Sequence, residues 1–304
     1  MGIINRFEEN EDVIVIAATN FPNSLDPAVV RPGRFDKKIT IPKPTSEVRK
    51  KMFQYYLTKL QIPKYQIDLR KLSSLTIDMT GADIKNIVNI SGLSIVKKGK
   101  NRIEQNDMIA AYERVKMGLK RDKAGISQKE LLKTAYHEAG HAIIALLTTG
   151  ASKLHKVTIM PIGGSLGHNG FLPLDYTENL TDINMKANLD TALGGRVAEE
   201  LIYGKEKITS GCSGDLNSLS STAYAMNTYL GMNNYLIPIF SGDKKISDET
   251  IDEIDLKTQE VVSESLIRVK KLLSNNIEKL HLLAKKLIEV ETMTGEDVKK
   301  LLNL

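Results

Sequence analysis

One short run, His137-Glu138-Ala139-Gly140-His141, has the residue types and spacing of a metal site. Residues four apart on a helix lie one above the other on the same face, so both imidazoles can reach one ion at about 2.0–2.1 Å. Zinc suits such nitrogen donors. Glu138 follows the first histidine and can face a metal-held water without ligating the metal, which makes it the expected general base of a hydrolytic site. Two histidines leave one protein ligand to find, and no third histidine follows at the metzincin spacing. The acidic candidates are Glu199 and Glu200, after Gly194-Gly195-Arg196-Val197-Ala198, and Asp215, after Thr209-Ser210-Gly211-Cys212-Ser213-Gly214. Glutamates on a helix can equally be solvated or salt-bridged, and Asp215 can equally serve a helix N-terminus. Chemistry alone leaves these three open.

The motif needs a helix, and the flanking residues predict one. Ser127 and Glu130 form an S-x-x-E capping box, Leu131, Ala135, Ala139, Ala142 and Leu146 recur at helical spacing, and Gly150 suits the stop. Gly140 costs about 1 kcal/mol relative to alanine inside a helix, so something requires it there, close backbone approach near a metal site being one reason.

The rest of the chain reads as mainly α with a smaller α/β part. Val13–Ala18 is a continuous apolar run, as in a strand buried on both faces of a parallel sheet, and Lys38–Ile41 reads as a second strand. Helices are expected over about 46–60, 81–96 and 105–117. Lys120–Gly125 is polar, charged and closed by glycine, the mark of a linker. Beyond it, strands are expected at Lys156–Met160 and Gly170–Leu174, and helices over 182–203, 215–230 and 248–290, with a short one closing the chain.

The 304 residues suffice for two ordinary domains. A net charge of +5 without a basic stripe interleaved with aromatics argues against nucleic acid as a partner. The single cysteine, Cys212, excludes an internal disulfide framework and reads as a small buried residue. No apolar run approaches the roughly 18 residues of a membrane span.

Taken together, the motifs resemble the FtsH-type, membrane-anchored AAA+ zinc proteases along nearly the whole chain. The resemblance rests on Val13–Asn20, Leu25-Asp26-Pro27, Arg31-Pro32-Gly33-Arg34-Phe35-Asp36, Gly81-Ala82-Asp83, Thr134–Ala142, His155–Ile159 with Pro161, Gly194–Gly204 and Ser210–Asp215. It implies a truncated AAA+ α/β remnant (residues 1–44), a helical lid (45–119), a linker (120–126) and a mostly helical zinc peptidase domain with a small sheet (127–304). It implies His137, His141 and Asp215 as zinc ligands and Glu138 as the catalytic base. It implies nucleotide-related roles for Asn20, Arg31, Arg34, Gly81 and Ala82, the arginines acting across a subunit boundary. Val157, Thr158, Ile159 and Met160 are implied to be the edge on which a substrate peptide lies.

There are departures. No G-x-x-x-x-G-K-[ST] phosphate loop is present, Ile162 stands where the family usually has arginine, and the stretch after Met232 is short. ATP and Mg2+ are therefore expected only in a longer protein, of which this chain is a soluble fragment. That protein is expected to be membrane-associated, in a bacterial inner membrane or an organelle, through segments outside this chain. It is expected to be a homo- or hetero-hexamer acting on polypeptides. Two other classes compete: a metal-free assembly scaffold, which the intact His137, Glu138, His141 and Asp215 set disfavours, and a small-molecule metallohydrolase.

Overall fold

The computed structural model describes residues 14–63, 67–119, 125–163, 165–172, 179–232 and 246–304. The chain divides into two compact units, Met1–Pro44 and Thr45–Leu304.

In the first unit, neither expected strand forms among the described residues (Val13 lies outside them). Ile14, Ile16, Ile39 and Ile41 are exposed. A strand that is apolar on both faces needs paired neighbours and covering helices, and no described residue of this unit supplies them. A short 3-10 turn at Pro22–Ser24 follows Asn20. The Arg34 Nη1 group donates to the Ala28 carbonyl at 2.8 Å.

The second unit opens with four helices: α1 (Ser46–Lys59), α2 (Leu69–Leu75), α3 (Gly81–Lys97) and α4 (Gln105–Met117). The sequence reading missed α2, a short helix capped by the Asp68 side chain. Thr80 and Asp83 form a capping box that fixes the start of α3, with Gly81 and Ala82 in its first turn. Phe53, Leu72, Ile84, Ile87, Ile95 and Met108 fill the core of this bundle. Of the expected linker, residues 120–124 lie outside the described part.

A second core surrounds α5 (Gln128–Leu147), α6 (Asp182–Tyr203), α7 (Ser213–Asn227), α8 (Asp248–Ser274), α9 (Ile277–Val290) and α10 (Gly295–Leu302). The helix expected over 248–290 is two helices. At the break, Asn276 leaves helical geometry and its side-chain amide donates back to the Leu272 carbonyl, a local bond that competes with the helix ladder. The residues after Met232, up to 245, are outside the described part. No helix among the described residues is long and apolar enough to cross a membrane.

The sheet is small and antiparallel, in the order β2 (His168–Leu172), β1 (Lys153–Thr158), β3 (Thr292–Thr294). The strand expected at Lys156–Met160 starts earlier and ends at Thr158, because Lys153 and Leu154 pair with Leu172 and Phe171. The strand expected at Gly170–Leu174 runs from His168; residues 173 and 174 are outside the described part. β3 was not expected.

α5 carries the histidine motif, and its start is the capping box read from the sequence: the Ser127 hydroxyl accepts from the Glu130 amide, and Glu130 Oε2 accepts from the Ser127 amide. Its partner is α6, and the two backbones nearly touch. A Cβ added to Gly140 would stand 2.3 Å from the Gly194 carbonyl oxygen and 2.7 Å from Ala198 Cβ. A Cβ on Gly194 would stand 2.8 Å from the Gly140 carbonyl oxygen. The helix-interior glycine is thus explained by a crossing that admits no side chain. Gly140→Ala is expected to destabilise the fold by about 1–3 kcal/mol or more through overpacking. Urea unfolding of the purified chain reads this as a lower midpoint at unchanged slope, and an unchanged midpoint refutes the close crossing.

Candidate metal centre

The crossing brings five polar side chains from three helices to one point. His137, Glu138 and His141 come from α5, Glu199 from α6 and Asp215 from the first turn of α7. His137 Nε2 lies 3.0 Å from His141 Nε2 and 3.3 Å from Asp215 Oδ2. His141 Nε2 lies 3.4 Å from the same carboxylate oxygen. Among the described residues these three form the group able to hold a metal ion.

The other face of each ring is fixed. His137 Nδ1 is 2.8 Å from Glu199 Oε1, and His141 Nδ1 is 2.6 Å from the Thr191 carbonyl oxygen. Carboxylates and carbonyls only accept, so each Nδ1 carries the proton and each neutral ring presents a lone pair at Nε2. In the neutral rings two lone pairs and a carboxylate oxygen converge with no donor among them, so without a cation a proton must sit there. That arrangement calls for a cation. Bonds of about 2.0–2.1 Å in a tetrahedron place ligands roughly 3.3–3.4 Å apart, close to the separations here, so the donor set fits zinc. Gly195 is part of the fit: a Cβ there would lie 2.5 Å from both His137 Nε2 and His141 Nε2.

The electrostatics agree with a site that awaits positive charge. Burial disfavours a charged His137, but hydrogen bonds to Asp215 and Glu199 and the charge of Glu138 outweigh it and push its pKa up to about 10. Burial works against ionised Asp215 too, yet its bonds to His137 and His141 hold it well below the ordinary carboxylate range. A metal replaces the proton in both roles. Glu138 is 6% exposed, and burial raises its pKa.

The acidic candidates separate cleanly by position. Asp215 is on the Nε2 side, where a shared ion would sit. Glu199, 2% exposed, is on the Nδ1 side and is held there by the Thr209 amide at 2.7 Å and the Thr209 hydroxyl at 3.1 Å. Glu200 is turned away, paired with Lys270 at 2.9 Å and Arg196 at 3.4 Å. Cys212 is buried, with its thiol bonded to the Thr209 carbonyl.

Among the described residues, the strand implied to bear a substrate does not lie at the sheet's edge. β1 is the central strand: Val157 pairs with Asn169 on one side and Met293 on the other, and Thr158 with His168 and Thr292. The Ile159 amide is bonded to the Glu291 carbonyl, and the Met160 amide to the Thr158 hydroxyl. Over Lys156–Thr158 both sides of β1 are thus paired. The edge strand next to the metal ligands is β2. Gly167, His168, Asn169 and Phe171 line the same cleft, of about 880 Å³, as His137, Glu138 and Asp215.

Sequence reasoning missed Thr191, Thr209, Gly167 and Asn169. Thr191 acts through its backbone carbonyl, so its residue type carries no signal. Asn169 reaches Glu138 across 31 positions of chain, and nothing local marks it. Asn20, Arg31 and Arg34 belong to the first unit, and Gly81 and Ala82 to the bundle of the second.

Comparison with known proteins bears on the same residues. Residues 124–301 match Peptidase family M41, and residues 1–43 match the ATPase family associated with various cellular activities (AAA). The chain is 39% identical over 296 residues to an ATP-dependent zinc metalloprotease, FTSH 11, chloroplastic/mitochondrial, of Arabidopsis thaliana, covering 97% of this chain and 36% of that protein. It is 37% identical over 312 residues to the ATP-dependent zinc metalloprotease FtsH of Rickettsia prowazekii, covering 98% and 48%. The FtsH of Neorickettsia risticii is 38% identical over 303 residues, covering 97% and 47%. The chain thus spans between about a third and a half of the length of these relatives. With its histidine helix, its three converging donors and a match over residues 124–301, the chain belongs to Peptidase family M41.

Proposed function

We propose that this chain is the proteolytic part of an ATP-dependent, membrane-anchored AAA+ protease, and that residues 127–304 are a zinc endopeptidase acting on misfolded or unassembled polypeptides. The observation that carries this reading is the convergence of His137 Nε2, His141 Nε2 and Asp215 Oδ2 beside a buried Glu138. Zinc bound to those three atoms supplies Lewis-acid polarisation of a peptide carbonyl and acidifies a water.

The remaining work falls to the protein. Glu199 and the Thr191 carbonyl orient the two imidazoles, as partners of ligating histidines generally do. Glu138 takes the water's proton and passes it to the leaving amine. Burial raises its proton affinity, the direction that suits a general base. A peptide lies along the outer edge of β2, antiparallel or parallel, through main-chain hydrogen bonds that read little of its sequence. That is the selectivity wanted for degrading many unrelated chains.

The AAA match and the relatives' names support the wider reading. Residues 1–44 are the end of an ATPase α/β subdomain, 45–119 its lid and 120–126 the linker. Asn20, Arg31, Arg34, Gly81 and Ala82 serve nucleotide in an assembled homo- or hetero-hexamer, with Arg31 and Arg34 neutralising phosphoryl charge in a neighbour. The membrane is a bacterial inner membrane or that of an organelle.

Two predictions test the centre. Glu138→Gln keeps full zinc by atomic emission but lowers cleavage of unfolded casein by about 10²–10⁴-fold. Near-parental cleavage by that variant removes Glu138 from the chemistry, and turnover of small esters with no casein cleavage moves the site to another class of hydrolase.

The ligand assignments separate in a zinc titration. Asp215→Asn is expected to lose stoichiometric zinc, because a neutral amide is a poor ligand. Glu199→Gln is expected to weaken zinc by about 10–100-fold, since it perturbs the orientation of His137. Glu200→Gln is expected to leave zinc unchanged. Full zinc in a folded Asp215→Asn chain, with loss in folded Glu199→Gln, transfers the ligand role to Glu199.

A further inference from the structure

Asn169, which lines the cleft beside Glu138, has its side chain locked onto the base. It sits on β2 opposite Val157 and is buried. Its amide nitrogen donates to Glu138 Oε2 at 2.6 Å and to the Glu138 backbone carbonyl at 3.0 Å. Both donors of one amide thus go to one residue. Its own carbonyl oxygen, Oδ1, is buried with no hydrogen-bond partner among the described residues.

An orphaned buried carbonyl is a cost that an apolar residue of the same shape avoids. Packing therefore does not explain the asparagine; its donors do. The reversed amide would set a carbonyl oxygen against a carboxylate, so the hydrogen bonding fixes the orientation.

The other wall of the carboxylate comes from the same strand entry. A Cβ on Gly167 would stand 2.7 Å from Glu138 Oε1 and 2.8 Å from its Cγ. Glu138 thus occupies the space of the missing side chain, while Asn169 holds its second oxygen.

We propose that Asn169 is the positioning residue of the general base: by engaging Oε2 and the backbone carbonyl together, it holds Glu138 in one rotamer and leaves Oε1 as the oxygen that receives the proton. The proposal rests on the peptidase reading above. It ties two functions to one strand, because β2 both offers its edge to the peptide and carries the clamp on the base. Asn169 touches the base and leaves the metal ligands alone, so its loss acts on turnover and spares zinc affinity.

The test uses the full chain loaded with zinc. Asn169→Leu keeps the volume and removes the donors. It is expected to lower kcat on an unfolded-peptide reporter by about tenfold or more, with KM within about twofold and zinc stoichiometry unchanged. The double variant Asn169→Leu/Glu138→Gln is expected to be no slower than Glu138→Gln alone, because the amide then has no carboxylate to position. A crystal structure of metal-free Asn169→Leu is expected to show the Glu138 carboxylate rotated away from its position here. Where Asn169→Leu fails to fold, Asn169→Ala, which also removes the donors, is measured in its place.

Unchanged kcat in a folded, zinc-loaded variant overturns the proposal. So does an equal loss in the Glu138→Gln background, which shows action by another route. Full activity of Glu138→Gln itself overturns the peptidase mechanism and this proposal with it, an outcome distinct from failure at Asn169 alone.

Discussion

The site depends on how closely α5 and α6 approach. Gly140 meets the Gly194 carbonyl with no room for a side chain on either helix, and Gly195 lies against both imidazoles. Helix-interior glycine costs about 1 kcal/mol relative to alanine, so a run of such positions at one crossing marks a strong geometric requirement. The requirement is a short reach. Only with the backbones this close can Glu199 and the Thr191 carbonyl on α6 touch the Nδ1 atoms of His137 and His141 on α5. Those contacts fix the tautomers, and the tautomers decide that two lone pairs face Asp215. The metal site is therefore a consequence of glycine packing as much as of its ligands.

The same crossing brings buried charge into an otherwise apolar core. Glu138 and Glu199 are nearly inaccessible, and Asp190, also on α6, is buried against the Ser265 hydroxyl and the Arg268 guanidinium of α8. Each carboxylate has partners that satisfy it, as burial demands. Asp190 and its α8 partners fasten the face of α6 away from α5, so the helix that orients both imidazoles is held from two sides. Helix α6 can present Glu199 at a fixed point because its other face is not free to roll.

How much of this was legible in the sequence follows the range of each interaction. The α5 cap, the histidine pair and the requirement for Gly140 are local and were read directly. The third ligand was not: Glu199, Glu200 and Asp215 differ only in which side of a ring they reach, a three-dimensional fact that no spacing encodes. The resemblance favoured Asp215, and the geometry puts Asp215 on the Nε2 side. The two expected strands of the first unit were read from apolar runs alone, and an apolar run forms a strand only where neighbours exist to pair with it. The position of the implied substrate strand in the sheet was illegible for a related reason. Residues Val157–Ile159 look like a strand, but whether a strand is central or at the edge depends on partners such as Thr292–Thr294, more than 130 positions away along the chain.

β2, the outer strand of the sheet next to the metal ligands, also meets the helical bundle. β2 is fastened at both ends. Near its start, Asn169 is bonded to Glu138; at its end, Leu172 packs against the core built by Phe53, Leu72 and Met108. Beside it on β1, Lys156 forms a 2.7 Å ion pair with Glu113 of α4, with both side chains largely buried. The turn that leads into β2 is tied to the end of the same region, through the Gly163 amide and the Leu119 carbonyl. The four residues Asn169–Leu172 thus connect the bundle's hydrophobic core to the carboxylate of the base. A strand rises only about 3.3 Å per residue and is stiff along its length. The same strand thus carries both the contact to the bundle at Leu172 and the clamp on the base at Asn169.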